Sequence, residues 1–195
     1  MGNAGHAVVP GRSITLAVVA VFSALIALGT ILSIPLPAPL YEITWSPAIY
    51  LALAVLSDSG TAFGATAIGG FIGEAFNVAF RGGGSPIYPF GIVWARGPEV
   101  FIVAWAKTRG TKVLVMAMIG ATVFETLAFF VSDWAFYTYG LFGYVCSNGA
   151  VCTSAYSAYA LASLDFFTMV DVAFIPIALV LISAARPSFR RLGFS

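Results

Sequence analysis

The sequence predicts an all-α membrane protein: a single domain of six transmembrane helices, with both termini in the cytoplasm. Three observations predict it. Of 195 residues, 60% are hydrophobic and 9% are charged, whereas soluble domains carry about 25% charged residues; mean hydropathy is +0.97. Apolar runs recur near the length of about 20 residues that a helix needs to cross about 30 Å of hydrocarbon. Finally, the basic residues segregate to one side of the runs.

The first run, Ser13–Ser33, is stopped by the prolines of Ile34-Pro35-Leu36-Pro37-Ala38-Pro39. Residues before it, Met1 to Pro10, lack a positive n-region and a cleavage site, so the first span is expected to serve as its own insertion signal. The second run, Trp45–Ser57, is short and ends at Asp58-Ser59-Gly60; it can tilt or hide behind its neighbours. Thr61–Phe80 is closed by Arg81-Gly82-Gly83-Gly84-Ser85. Ile87–Ala106, Lys112–Tyr137 and Tyr156–Ala184 complete the six. With this count Arg12, Lys107, Arg109, Lys112, Arg186, Arg190 and Arg191 share one side, which the positive-inside rule makes cytoplasmic. Only Arg81 falls in an outer loop and Arg96 within a span. Five or seven spans would break this segregation.

Cys146 and Cys152 then fall in an outer loop. An oxidising compartment sustains disulfides, and Asn148-Gly149 favours a turn between them; the alternative is two unpaired thiols. A metal site is not expected, since the one histidine, His6, lies in the opposite tail and zinc wants four ligands. Short basic clusters at span ends make no nucleic-acid footprint.

Ionisable residues inside the spans carry the functional signal. A charge in hydrocarbon costs at least about 2.5–3.5 kcal/mol, so such residues face a protein interior or a wet cavity. At 1.5 Å rise per residue, Glu74, Arg96, Glu99, Glu125 and Asp165 lie roughly 10–18 Å below the outer boundary. Glu74 and Asn77 share a helix face, as do Arg96 and Glu99; Asp165, Thr168 and Asp171 form a polar ladder down the last span. Acids outnumber the single buried arginine, and unless some are protonated and donate to backbone carbonyls, the excess attracts a cationic or multi-donor ligand. Trp45 and Trp94 are the aromatic candidates for such a pocket, because an aromatic wall beside carboxylates suits a cationic heterocycle. The remaining tryptophans and tyrosines fit an interfacial belt. The bland alternative is that Arg96 and one acid merely tie helices together. On the first span Ser13/Ala17, Ala20/Ala24 and Ser23/Ala27 are small residues four apart, a spacing that lets another helix approach closely.

Over roughly Ser13–Ala185 the chain resembles the substrate-binding S component of an energy-coupling factor (ECF) transporter. Ala20-Val21-Phe22-Ser23-Ala24 is similar to the Ala-xxx-Ala motif of that family's first helix, Ile34–Pro47 to its outer lid, and Gly69-Gly70-Phe71-Ile72-Gly73-Glu74 and Phe90–Val103 to its third and fourth helices. The resemblance implies a plasma-membrane subunit that binds a scarce micronutrient outside. It implies delivery inward with a coupling membrane subunit, contacted through Ala17, Ala20 and Ala24, and two cytoplasmic ATPases. This chain has no phosphate-binding Gly-x-x-x-x-Gly-Lys-Ser/Thr loop, so the partners would use the ATP and no cofactor is expected here. Metal-transporting members carry a histidine after the initiator Met; Gly2 stands there, which points away from a metal substrate.

Two other classes compete. A stand-alone proton- or ion-coupled carrier or channel would use Asp165 and Asp171 as a relay, but no internal repeat is visible. A membrane enzyme would want a nucleophile–base pair or metal ligands; Cys146 and Cys152 make no Cys-x-x-Cys redox motif, so no enzymatic activity is expected.

Overall fold

Prolines inside the apolar runs mark three of the helix starts. Pro47, Pro89 and Pro176 stand in the first turns of α2 (Ser46–Leu56), α4 (Tyr88–Ala106) and α7 (Ile175–Arg191), where a missing amide hydrogen costs nothing. In this computed structural model residues 10–35, 42–81, 85–146, 152 and 154–194 are described. The tail with Gly2 and His6, the middle of the Pro-rich loop (36–41), residues 82–84 and the Asn148-Gly149 turn lie outside them. Around that loop Ile34–Pro35 (β1) pairs antiparallel with Glu42–Ile43 (β2), Ile34 opposite Ile43. Everything else regular is helical: α1 (Arg12–Ile31), α3 (Ser59–Arg81), α5 (Thr111–Tyr139) and α6 (Ala155–Ala162) join α2, α4 and α7. Gly140, in the left-handed region (φ 62°, ψ 34°), ends α5, as a residue without Cβ can do at low cost.

Among the described residues four helical stretches are long and apolar enough to cross a membrane: α1, α3, α5 and the continuous run Ala155–Arg191. The expected second and fourth spans fall short of that standard. At 11 residues α2 is only about 16 Å long, and every residue in it except Ile49 is buried. It is sheathed by α1, α3, α4 and α7 rather than facing lipid. The 19 residues of α4 carry Arg96, Glu99 and Pro98.

In lipid, helices gain little from hiding apolar side chains and associate through close packing instead. The α1–α3 contact is built this way. A Cβ on Gly69 would lie 2.9 Å from Ile26 Cβ and Ser23 Cα, and one on Gly73 2.6 Å from Thr30 Cβ. The pairs Gly64/Val19, Gly69/Ser23 and Gly73/Ala27 rise together, so α1 and α3 run parallel, while Arg96/Glu125 and Thr126/Thr168 make α4 antiparallel to α5 and α5 antiparallel to the last run.

That last run is not one α-helix. Between α6 and α7, Ser163–Phe174 forms a 3-10 helix, unusually long for a geometry rarely sustained beyond three or four residues. At three residues per turn, residues three apart eclipse, so Asp165, Thr168 and Asp171 align. In an α-helix, with 3.6 residues per turn, the same spacing would rotate the ends of the ladder apart.

Candidate functional site

The charged group at the centre of the bundle draws on five elements. α4 contributes Arg96, whose Nε donates to Glu125 Oε1 of α5 at 2.6 Å. Its Nη1 lies 3.9 Å from Glu74 Oε1 of α3 and donates to Ser46 Oγ of α2 at 3.4 Å. Tyr50, one turn along α2, donates its hydroxyl hydrogen to Glu125 Oε2 at 3.5 Å, and its ring lies 6.0 Å from the guanidinium, within cation–π range. Asp171, from the 3-10 segment, lies within the electrostatic reach of Arg96 and Glu125. All of these residues are buried, and Glu99 and Glu125 are 0% exposed. Glu99 sits one turn from Arg96 with the Tyr50 hydroxyl beside it, and neither of its carboxylate oxygens makes a well-formed hydrogen bond among the described residues.

Helix phase explains the gathering. Tyr88, Ile92, Arg96 and Glu99 fall at spacings of three and four and share the face of α4 turned to the bundle. Ser46 is brought in by the hairpin: Trp45 N donates to Gly29 O at 2.9 Å, pinning the start of α2 to the end of α1, and Thr44 and Ser46 share a hydrogen bond at 3.0 Å.

A second polar line runs along the 3-10 segment, facing α5. The Thr168 and Thr126 hydroxyls meet at 2.6 Å, Asp171 neighbours Glu125, and Asp165 neighbours Asp133, against which Tyr144 lies. Asp165 Oδ2 is buried without a hydrogen-bond partner. Tyr88, stacked on Phe129 at 5.5 Å, lies within reach of both groups, Glu74 and Arg96 on one side and Asp165 and Asp133 on the other.

The expected site residues therefore divide. Glu74, Arg96, Glu99 and Glu125 are brought together. Asn77 is buried beside them but donates to Thr30 O of α1 at 3.3 Å. Asp165 belongs with Asp133 at the other end of the ladder. Trp94, two residues and so about 200° from Arg96, is 38% exposed and packs edge-on to Phe136. Trp45 is 44% exposed, against Phe174. Ser46, Tyr50 and Tyr88 were missed; for Tyr88 the eight-residue spacing to Arg96 was a readable signal, whereas nothing in the short second run marks Tyr50.

Ala17, Ala20 and Ala24 lie on the exposed face of α1 with Leu16, Val21 and Leu28, while Ser23 and Ala27 turn inward onto α3. Cys146 and Cys152 are joined in a disulfide. Among the described residues no group of three or more His, Cys, Asp or Glu could hold a metal ion.

No family model, no curated protein and no solved structure matches the chain. The site is a buried arginine with three carboxyls, Glu74, Glu125 and Asp171, about it.

Proposed function

We propose that the chain is a membrane-embedded binding subunit for a small cationic micronutrient, such as a thiamine-related heterocycle, and that the Arg96 group is where the ligand engages. The observation that carries this reading is the convergence of Ser46, Tyr50, Glu74, Arg96, Glu125 and Asp171 from five elements onto one buried point. A tie between two helices needs one acid, not three. In this reading the chain crosses the plasma membrane six times with α2 as the sheathed second crossing, which the parallel run of α1 and α3 supports, and both termini are cytoplasmic. As the S component of an energy-coupling factor transporter it would present Ala17, Ala20 and Ala24 to the coupling subunit, and two ATPase subunits would drive release inward.

The test is thiamine titrated onto the purified protein, with mass spectrometry of any ligand carried through purification. Glu74→Gln and Glu125→Gln are expected to weaken binding by about tenfold or more, equivalent to about 1.4 kcal/mol. Unchanged affinity in both overturns the charge argument. Co-expression with an ATPase module should yield a complex.

A second reading, a proton-coupled carrier, is favoured by one observation: the 3-10 geometry aligns Asp165, Thr168 and Asp171 along α5. Ligand flux driven by a pH gradient in liposomes holding this chain alone selects it over the first.

A further inference from the structure

We propose that Glu99 binds a proton and stands in the bundle as a neutral carboxylic acid, the donor end of a chain that runs through Tyr50 and Glu125 to Arg96. Hydrogen-bond donors are scarce around Glu99. A tyrosine hydroxyl carries a single hydrogen and accepts through its lone pairs. The Tyr50 hydroxyl faces two carboxyls, Glu125 Oε2 at 3.5 Å and Glu99, and its one hydrogen can serve only one of them at a time. The guanidinium is engaged with Glu125, Glu74 and Ser46. The other groups facing Glu99 are Glu125 itself, from α5, and Asp171, from the 3-10 segment; both are acceptors. From α3, Glu74 lies across the guanidinium.

A Glu99 carboxylate would thus be a fully buried charge with no well-formed hydrogen bond and one neighbouring hydroxyl hydrogen contested by Glu125, a state that proteins relieve by neutralising the group. A proton on it turns an acceptor facing an acceptor into a donor facing the Tyr50 oxygen. The bonds then run in one direction, Glu99 to Tyr50 to Glu125, with Arg96 closing the far end. Glu99 is 0% exposed, and a proton needs no room. This chain of bonds shares Tyr50, Glu125 and Arg96 with the ligand site proposed above, but the state of Glu99 does not rest on that reading. The proton comes from bulk water and returns there.

The test is infrared spectroscopy of the purified protein in nanodiscs at neutral pH. A carbonyl stretch of a protonated carboxyl is expected, shifted when the protein is grown on isotope-labelled glutamate, and absent from Glu99→Gln, which should melt close to wild type. Tyr50→Phe, which removes the acceptor, should raise the frequency of the band, and this arm stands even where Glu99→Gln does not fold. No protonated-carboxyl band, a band that labelled glutamate leaves in place, or one unmoved in Tyr50→Phe each overturns the assignment.

Discussion

Gly73 lies so close to Thr30 that a Cβ added to it would stand 2.6 Å from Thr30 Cβ and 3.1 Å from Ala27 O. This contact seats α3 on α1 and, through Glu74, sets the depth of an acid facing Arg96. Gly73→Ala and Gly69→Ala are expected to destabilise the fold by about 1–3 kcal/mol each, the usual cost of overpacking. Gly120→Ala, with nothing within 4 Å of the new Cβ, should be neutral or stabilising, since alanine is favoured over glycine in helices by about 1 kcal/mol. Thermal unfolding in detergent compares all three, and equal losses would show that α1 and α3 can separate freely.

The Arg96–Glu125 pair should behave as a buried pair does. Removing one partner leaves an uncompensated charge, at a cost of about 3–5 kcal/mol, so Glu125→Gln and Arg96→Met should each lower the melting temperature sharply. The double variant should recover part of the loss. A double-mutant cycle reads the coupling, and strictly additive losses would mean that the 2.6 Å contact carries little energy.

Asp58 supplies a pH-dependent contribution at the α2–α3 turn. It accepts from Thr61 N at 2.9 Å and from Thr61 Oγ1 at 2.6 Å, capping α3. Partial burial raises its pKa, but the hydrogen bonds from Thr61 and the backbone outweigh that and hold it below the ordinary carboxylate value. A depressed folded-state pKa means that the stabilisation is full above the unfolded value, about 3.9, and is lost as the pH falls through the lower folded value. Asp58→Ala should cost about 1 kcal/mol at neutral pH, and the gap to wild type should close in acid. Melting temperatures of both proteins across that range check it.

The disulfide gives a topology test. Cys146 and Cys152 are the only cysteines and are bonded to each other, so intact cells should not label with a membrane-impermeant maleimide until a reductant is added, and should label from outside thereafter. Labelling that needs permeabilised cells would reverse the proposed orientation.

Much of this was legible along the chain. Glu74, Arg96, Glu99 and Glu125 could be found because an ionisable residue in an apolar run stands out, and because spacing alone places them at similar depths. The direction in which a tryptophan points could not be found that way. Trp94 was expected beside Arg96 because it is near in sequence, yet two residues on a helix is half a turn too many. Tyr50 could not be found because a short apolar run does not reveal that it will be sheathed on every side, which makes an ordinary tyrosine a partner for buried acids. The small residues of α1 looked alike, and only the position of α3 separates Ser23 and Ala27, which it covers, from Ala17, Ala20 and Ala24, which it leaves exposed.

Composition and local pattern by themselves determined that this chain is helical and carries apolar helices of membrane-crossing length, because transfer of residues into hydrocarbon depends on residue type and run length alone. Which acids share the arginine, which hydroxyl lies between two of them, and that Asp165, Thr168 and Asp171 stand in a row were decided only in three dimensions. Those depend on the phase and winding of each helix against its neighbours, and a change from 3.6 to three residues per turn realigns a whole face without altering a single residue.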